Sequence, residues 1–271
     1  MRRPYRYRPK ALFIRSGGIG DFLLSIPLLI EACRRYEEIH LFSRCAYRTF
    51  IDDLFIRNLS YYDVDQNFDM IQKLSKSSDI ISFWSDPEWI DELRAWGANQ
   101  IFTPCSRPSR GKHFAEQTFE TLGWDIPDKL FQNNWLGNRW SRKSETLWIQ
   151  PGSGSIQKNK PLSYFIKCAL SWIDSDHSRK VVFCFGEADT KLKSELAAHA
   201  LSKDERVRLI SELSLEELKT KLCEQADSYI GNDSGPSHMA AMFGIPTEVC
   251  FISTSPKIWK PLGSRVVLSG T

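Results

Sequence analysis

The sequence predicts an α/β protein built from two doubly wound parallel sheets in tandem. Three observations carry this. Short, nearly unbroken apolar runs alternate with longer stretches of helical spacing, the signature of parallel strands buried on both faces. Glycine-rich turns follow selected strands and lead directly into helices. The alternation also restarts after the Trp- and Asn-rich stretch 132–144, so the linker is placed at 132–145, with domains at 1–138 and 139–271.

In the first half, Ala11–Arg15 (ALFIR) reads as a buried strand. Gly17, Gly18 and Gly20 turn the chain into a helix from Asp21 to Tyr36. Ile39–Ser43 and Ile80–Trp84 are further strands, and Asp86–Trp96 and His113–Leu122 are helices. In the second half, strand Thr146–Gln150 runs into the turn PGSGS and a helix over Leu162–Ile173. Strand Lys180–Phe185 precedes a helix over Asp189–Leu201, and Val207–Ile210 is a short strand. Ser214-x-x-Glu217 has the form of a capping box and opens the helix Ser214–Ala226. Strand Asp227–Ile230, the turn GNDSGPSH, a helix starting near His238 and strand Glu248–Ile252 complete the pattern.

Composition narrows the class. The 271 residues are 42% hydrophobic and 25% charged, with a net charge of +3, which excludes a largely disordered chain. Such a balance gives no ground for nucleic-acid binding. The seven cysteines include no Cys-x-x-Cys pair, which argues against a zinc ribbon or a disulfide framework and for reduced thiols in a cytoplasmic protein. The longest apolar run, Phe22–Ile30, is too short for a membrane span and contains Pro27. Arg2, Arg3, Arg6, Arg8 and Lys10 form a basic tail, read first as solvated and second as a peripheral contact with anionic lipid.

Three turns carry candidate chemistry. Ser16–Asp21 is a glycine turn at the carboxyl end of a strand, but Leu23 stands where a dinucleotide fingerprint needs its third glycine. Asp21 reads either as a first-turn helix cap or as a general base at the sheet edge. Gln150–Ser155 with Lys158 and Lys160 offers amides, hydroxyls and a cation to a diphosphate, without the ending of a Walker loop. Gly231–His238 makes an anion-binding turn, with Pro236 suited to the first helical position. Asp63-Val64-Asp65 has the Asp-x-Asp form of metal-dependent sugar transferases, but it lies in the other half and reads as a solvated turn. Trp84, Trp89 and Trp96 serve equally as core or as the lining of an acceptor site.

Taken together, ALFIRSGGIGDFLLSIPLL, IQPGSGSIQKNKPLSYF and GNDSGPSHMAAMFGIP resemble the signature stretches of glycosyltransferase family 9, the lipopolysaccharide heptosyltransferases. The resemblance implies the GT-B fold, two Rossmann-like domains facing across a cleft, and cytoplasmic inverting transfer of heptose from ADP-heptose to a glycolipid or saccharide acceptor. No cofactor or metal is implied, the nucleotide sugar being a substrate. The family's catalytic aspartate falls on Asp21, after Gly18 and Gly20. Its diphosphate lysine falls on Lys158, and Ser153 matches a hydroxyl near the phosphates. Asp189 matches an acidic residue near the ribose, and Asp233, Ser234, Gly235 and His238 match the nucleotide-binding turn. Lys160 departs from the pattern, standing where the family usually has tryptophan. The alternative is a shortened relative that binds a nucleotide sugar or a protein partner without transferring anything.

Overall fold

In the computed structural model, which describes residues 8–141 and 145–269, the apolar runs become the inner strands of two parallel sheets. The basic-tail residues Arg2, Arg3 and Arg6 lie outside the described residues. The chain divides into two units, Met1–Asp128 and Lys129–Thr271.

The first unit contains β1 (Arg8–Ile14), α1 (Ile19–Arg35), β2 (Tyr36–Ser43), α2 (Arg48–Asp52) and β3 (Leu59–Asp63). It continues with α3 (Phe68–Ser75), β4 (Asp79–Ser82), α4 (Pro87–Ala95), β5 (Gln100–Phe102) and α5 (Phe114–Thr121). Its strand order is β3-β2-β1-β4-β5. Ala11, Leu12, Phe13 and Ile14 of the central strand β1 are fully buried, because helices cover both faces of a parallel sheet. Leu12 and Ile14 join Ile71, Ile80, Trp89 and Leu93 in one core cluster beneath α3 and α4.

The second unit contains β6 (Thr146–Gln150), α6 (Leu162–Asp174), β7 (Lys180–Phe185), α7 (Thr190–Ala198), β8 (Val207–Ser211) and α8 (Leu215–Gln225). It ends with β9 (Ser228–Asn232), α9 (Gly235–Met242), β10 (Thr247–Cys250), α10 (Pro256–Trp259) and β11 (Val266–Ser269). The order is β11-β10-β9-β6-β7-β8, again with every pairing parallel. Leu147, Ile149, Phe165, Phe183 and Ile230 centre its core between the sheet and α6. The capping box at α8 is formed as its spacing predicts: Ser214 Oγ accepts the Glu217 N–H, and Glu217 Oε2 accepts the Ser214 N–H.

Several details differ from the expectations. β3, β5 and β11 carry too few consecutive apolar residues to stand out locally, and they form where neighbouring strands supply ladder partners, while the short helix α3 is held by Ile71 packed in the core cluster. α1 starts at Ile19, so Gly20 is helical, and it runs through Pro27. Burial of Phe22 to Leu29 holds that helix together where a proline by itself would interrupt it. α9 starts at Gly235, which puts Pro236 at the second helical position and His238 at the fourth. The unit boundary precedes residue 138 because the intervening segment bonds to the second unit. The Leu136 N–H donates to Met242 O, the Arg139 N–H donates to Phe243 O, and Asn134 Oδ1 accepts the Ser264 N–H.

Candidate functional site

Strand order decides where each unit can hold a ligand. In an open parallel sheet, connections leaving two adjacent strands in opposite directions part at their carboxyl ends and leave a crevice there. In the first unit this switch point lies between β1 and β4, and in the second between β6 and β9. All three candidate turns stand at these two places: Ser16–Asp21 after β1, Pro151–Lys158 after β6 and Asp233–His238 after β9.

In the first unit, Gly17 has φ of +108°, a conformation side-chain-bearing residues rarely adopt, so a glycine is required there. Tyr47 Oη donates to Gly17 O at 2.7 Å and clamps the turn. Gly18 is the N-cap of α1, and its N–H donates to Asp21 Oδ2 at 3.2 Å. The cap reading of Asp21 is therefore realised through one oxygen. The side chain remains 25% exposed, and Oδ1 lies 3.9 Å from Nη2 of Arg15. Arg15 is buried, with its guanidinium 4.2 Å from the Phe83 ring centroid and donating to Asp21 O at 3.1 Å. Burial pulls the Arg15 pKa down to about 10, against the upward pull of Asp21 and Tyr47. The local sequence marks Arg15 only as a strand residue; its relation to Asp21, six positions on, appears only once the turn is folded.

In the second unit, the β6 and β9 turns are stitched together. Asn232, buried at the end of β9, donates through Nδ2 to Pro151 O at 2.7 Å and accepts the Lys160 N–H at 2.9 Å. Lys158 Nζ lies 3.0 Å from Asp233 Oδ2. The same oxygen accepts Thr254 Oγ1 at 2.6 Å, and Asp233 Oδ1 faces His238 Nε2 at 3.5 Å. Burial pushes the Asp233 carboxyl up, but His238, Thr254 and Lys158 outweigh it and bring the pKa down to about 2. Sequence reading missed both Asn232 and Thr254. Asn232 stood inside the quoted turn but looked like ordinary turn composition, and Thr254 lies 21 positions beyond its partner.

The remaining candidates occupy the same edge. Ser153 Oγ lies 2.6 Å from Asn159 Oδ1 and 2.8 Å from Ser155 O, so its proton is used within the loop. Asp189 is buried at the end of β7, and its Oδ2 accepts the Gly186 N–H at 2.8 Å. Burial raises its pKa, and the Gly186 bond opposes the rise. A Cβ on Gly152 would lie 2.0 Å from the Asp189 carboxylate, so these two residues pack directly on one another. Ser234 is the N-cap of α9, and Gly235 is its first residue. Its side chain makes no cap bond; Ser237 Oγ instead donates to Asn232 O at 2.6 Å. Lys160 Nζ lies 5.6 Å from the Tyr164 ring centroid, whereas Lys158 Nζ pairs with Asp233. A lysine and the first amides of α9 are groups that can meet an anion at this edge.

Elsewhere, Asp63 Oδ1 accepts the Asp65 N–H at 3.2 Å, a turn as expected. None of the seven cysteines forms a disulfide. Among the described residues no helix is long and apolar enough to cross a membrane.

Two Rossmann-like units, each with a ligand-type turn at its switch point, define the GT-B class of α/β fold. The sequence profile of glycosyltransferase family 9 (heptosyltransferase) matches residues 109–271, more than half of the chain. The chain belongs to that family. It is 29% identical over 151 residues to lipooligosaccharide heptosyltransferase 2 of Campylobacter jejuni, an alignment covering 52% of this chain and 44% of that protein. The match thus spans less than half the length of that relative. Among solved structures, it resembles E. coli heptosyltransferase WaaC with ADP, at 12% identity and a TM-score of 0.70, covering 96% of this chain and 92% of that one. It likewise resembles E. coli ADP-heptose lps heptosyltransferase II, at 16% identity and a TM-score of 0.71, covering 96% and 89%. At these identities the two structures establish the fold alone.

Proposed function

We propose that the chain is an inverting glycosyltransferase that moves heptose from ADP-heptose to a lipooligosaccharide-type acceptor, with the nucleotide sugar held by the second unit. The observation that carries this is the Lys158–Asp233 pair at the second switch point, inside the segment that matches the family. A diphosphate seated there meets the ammonium of Lys158 and the opening amides of α9, which offset its charge. Asp233 and Asn232 hold the two turns in register, and Asp189 shapes the neighbouring end of β7 toward the ribose. Asp21 lies outside the matched segment, so its role rests on its place at the first switch point.

In this reading Asp21 takes the proton of the attacking acceptor hydroxyl. The freed oxygen bonds to the anomeric carbon, and the bond from that carbon to the diphosphate breaks, its electron pair leaving with ADP. Oδ1 is the oxygen for this step, because Oδ2 is engaged with the Gly18 N–H. The basic N-terminal residues would add attraction to an anionic lipid surface when the acceptor is membrane-borne.

The test is sugar transfer from ADP-heptose together with thermal stabilisation by ADP, UDP and GDP. A ligand at 100 times its dissociation constant adds about 2.7 kcal/mol. Stabilisation by ADP together with heptose transfer is the expected result. ADP binding without transfer to any saccharide acceptor would instead establish a non-catalytic relative.

A further inference from the structure

Phe68 is the first residue of α3 and is 46% exposed, although Ile71, one turn on, is fully buried. Its ring stacks on Trp84, with centroids 6.3 Å apart and planes at 22°. Trp84 stands edge-on to Trp89 at 5.3 Å. The two indoles differ in what holds them. Trp89 is buried, and its Nε1 donates to Ser82 Oγ at 3.0 Å. Trp84 is half-buried, and its Nε1 donates to Ser16 Oγ at 2.9 Å. Ser16 opens the glycine turn that leads to Asp21, and Trp84 follows β4. This single bond therefore bridges the switch point of the first sheet, between β1 and β4, where a ligand of that unit belongs.

The buried cluster under α3 and α4 includes Ile71, Trp89 and Leu93, and Phe68 sits at its rim, its ring tilted on that of Trp89 with centroids 5.7 Å apart. An exposed aromatic ring, locked in place by a second ring whose indole N–H is already satisfied, is a preformed platform with little ordering cost left for a ligand to meet. Two exposed carboxylates flank the ring residues along the chain. Asp86, two residues after Trp84, is exposed, and as N-cap of α4 it makes no side-chain cap bond. Asp65, three residues before Phe68, is also exposed. Neither carboxylate forms an ion pair among the described residues. Carboxylates accept hydrogen bonds from hydroxyls and repel anions, while an aromatic face takes up the C–H face of a sugar ring.

We propose that Phe68 and Trp84 form the stacking platform of the acceptor subsite, and that the group stacked there is a neutral, hydroxyl-rich pyranose rather than a phosphate- or carboxylate-bearing one. This rests on the reading of the first unit as the acceptor side. Asp86 and Asp65 orient the ring through its hydroxyls, and the Trp84–Ser16 bond ties the platform to the turn carrying Asp21.

The test uses the full chain without nucleotide. Saturation-transfer NMR is recorded with neutral methyl pyranosides and with a glycosyl phosphate, and ADP-induced melting shifts are measured on the same samples. Wild-type protein should saturate the C–H protons of one face of a neutral pyranoside and favour it over the glycosyl phosphate. Phe68→Ala should weaken that binding about five- to tenfold, Phe68→Trp should retain it, and Asp86→Asn should weaken it while improving tolerance of the phosphate. The exposure of Phe68 leaves the fold intact in these variants, which the melting curves check. Neutral pyranosides bound equally well by Phe68→Ala, or no saturation in the wild type, would overturn the platform. Loss of the ADP shift with pyranoside binding retained would overturn the nucleotide reading of the second unit instead.

Discussion

Lys158 Nζ and Asp233 Oδ2 lie 3.0 Å apart, joining two turns whose residues are 75 positions apart in the chain. The lysine proposed for the diphosphate is therefore already paired in the free protein. Its side chain is 33% exposed and that of Asp233 only 6%, so the lysine is the partner that can turn toward a ligand while the aspartate stays. Thr254 and His238 keep the carboxylate bonded when it does.

Lys158→Ala should weaken ADP binding about tenfold or more, the scale of one lost charge-assisted contact. Lys160→Ala should change it little, because its Nζ sits toward Tyr164 and the Asn232 bond uses the Lys160 main chain. Calorimetry with ADP on both variants checks this. A larger loss for Lys160 would transfer the phosphate role to that residue.

Asp21→Asn should retain the fold and ADP affinity and lose transfer by about 10²–10⁴-fold, the usual contribution of a general base. The asparagine side-chain oxygen can still accept the Gly18 N–H, so the cap survives. Transfer at the wild-type rate would leave Asp21 as a cap alone.

Gly152→Ala should destabilise the second unit by about 1–3 kcal/mol, because the new methyl meets the Asp189 carboxylate at 2.0 Å. Adding Asp189→Ala should recover part of the loss. Melting temperatures of the two single variants and the double variant give the coupling; purely additive effects would contradict the contact.

Asp233 makes the stability of the second unit depend on acid in a defined direction. Its folded pKa, about 2, lies below the ordinary carboxylate value of 3.8. Ionised Asp233 thus contributes stability that is complete above about pH 4 and is lost as the pH falls toward 2. Denaturant unfolding should show Asp233→Asn less stable than wild type at neutral pH, with the gap narrowing in acid. A gap independent of pH would mean that the network acts by shape alone.

Transfer should persist in excess EDTA. The turns after β6 and β9 contain one carboxylate between them, Asp233, and Lys158, Thr254 and His238 already engage it. Cation neutralisation of a diphosphate calls for carboxylates free to hold the ion. Activity abolished by chelation and restored by magnesium would assign leaving-group stabilisation to a metal.

Local sequence determined what depends on neighbours along the chain. The buried strands β1, β6, β7 and β9 were legible as apolar runs, α8 as a capping box, and the glycine turns as breaks between strand and helix. The three turns with candidate chemistry were legible for the same reason, since a glycine at positive φ or an Asp-Ser-Gly before a helix is a local constraint. Tertiary structure decided what depends on strand order. Only the pairings of β1 with β4 and of β6 with β9 place Trp84 on Ser16 and Lys158 on Asp233. Thr254 on Asp233 and Arg15 beneath Asp21 likewise follow from how the turns fold together. The weak elements β3, β5 and β11 were illegible because their few residues gain stability from ladder partners distant in sequence. A window of neighbouring residues carries propensity and periodicity, but it contains no term for partners that the sheet brings together from other parts of the chain.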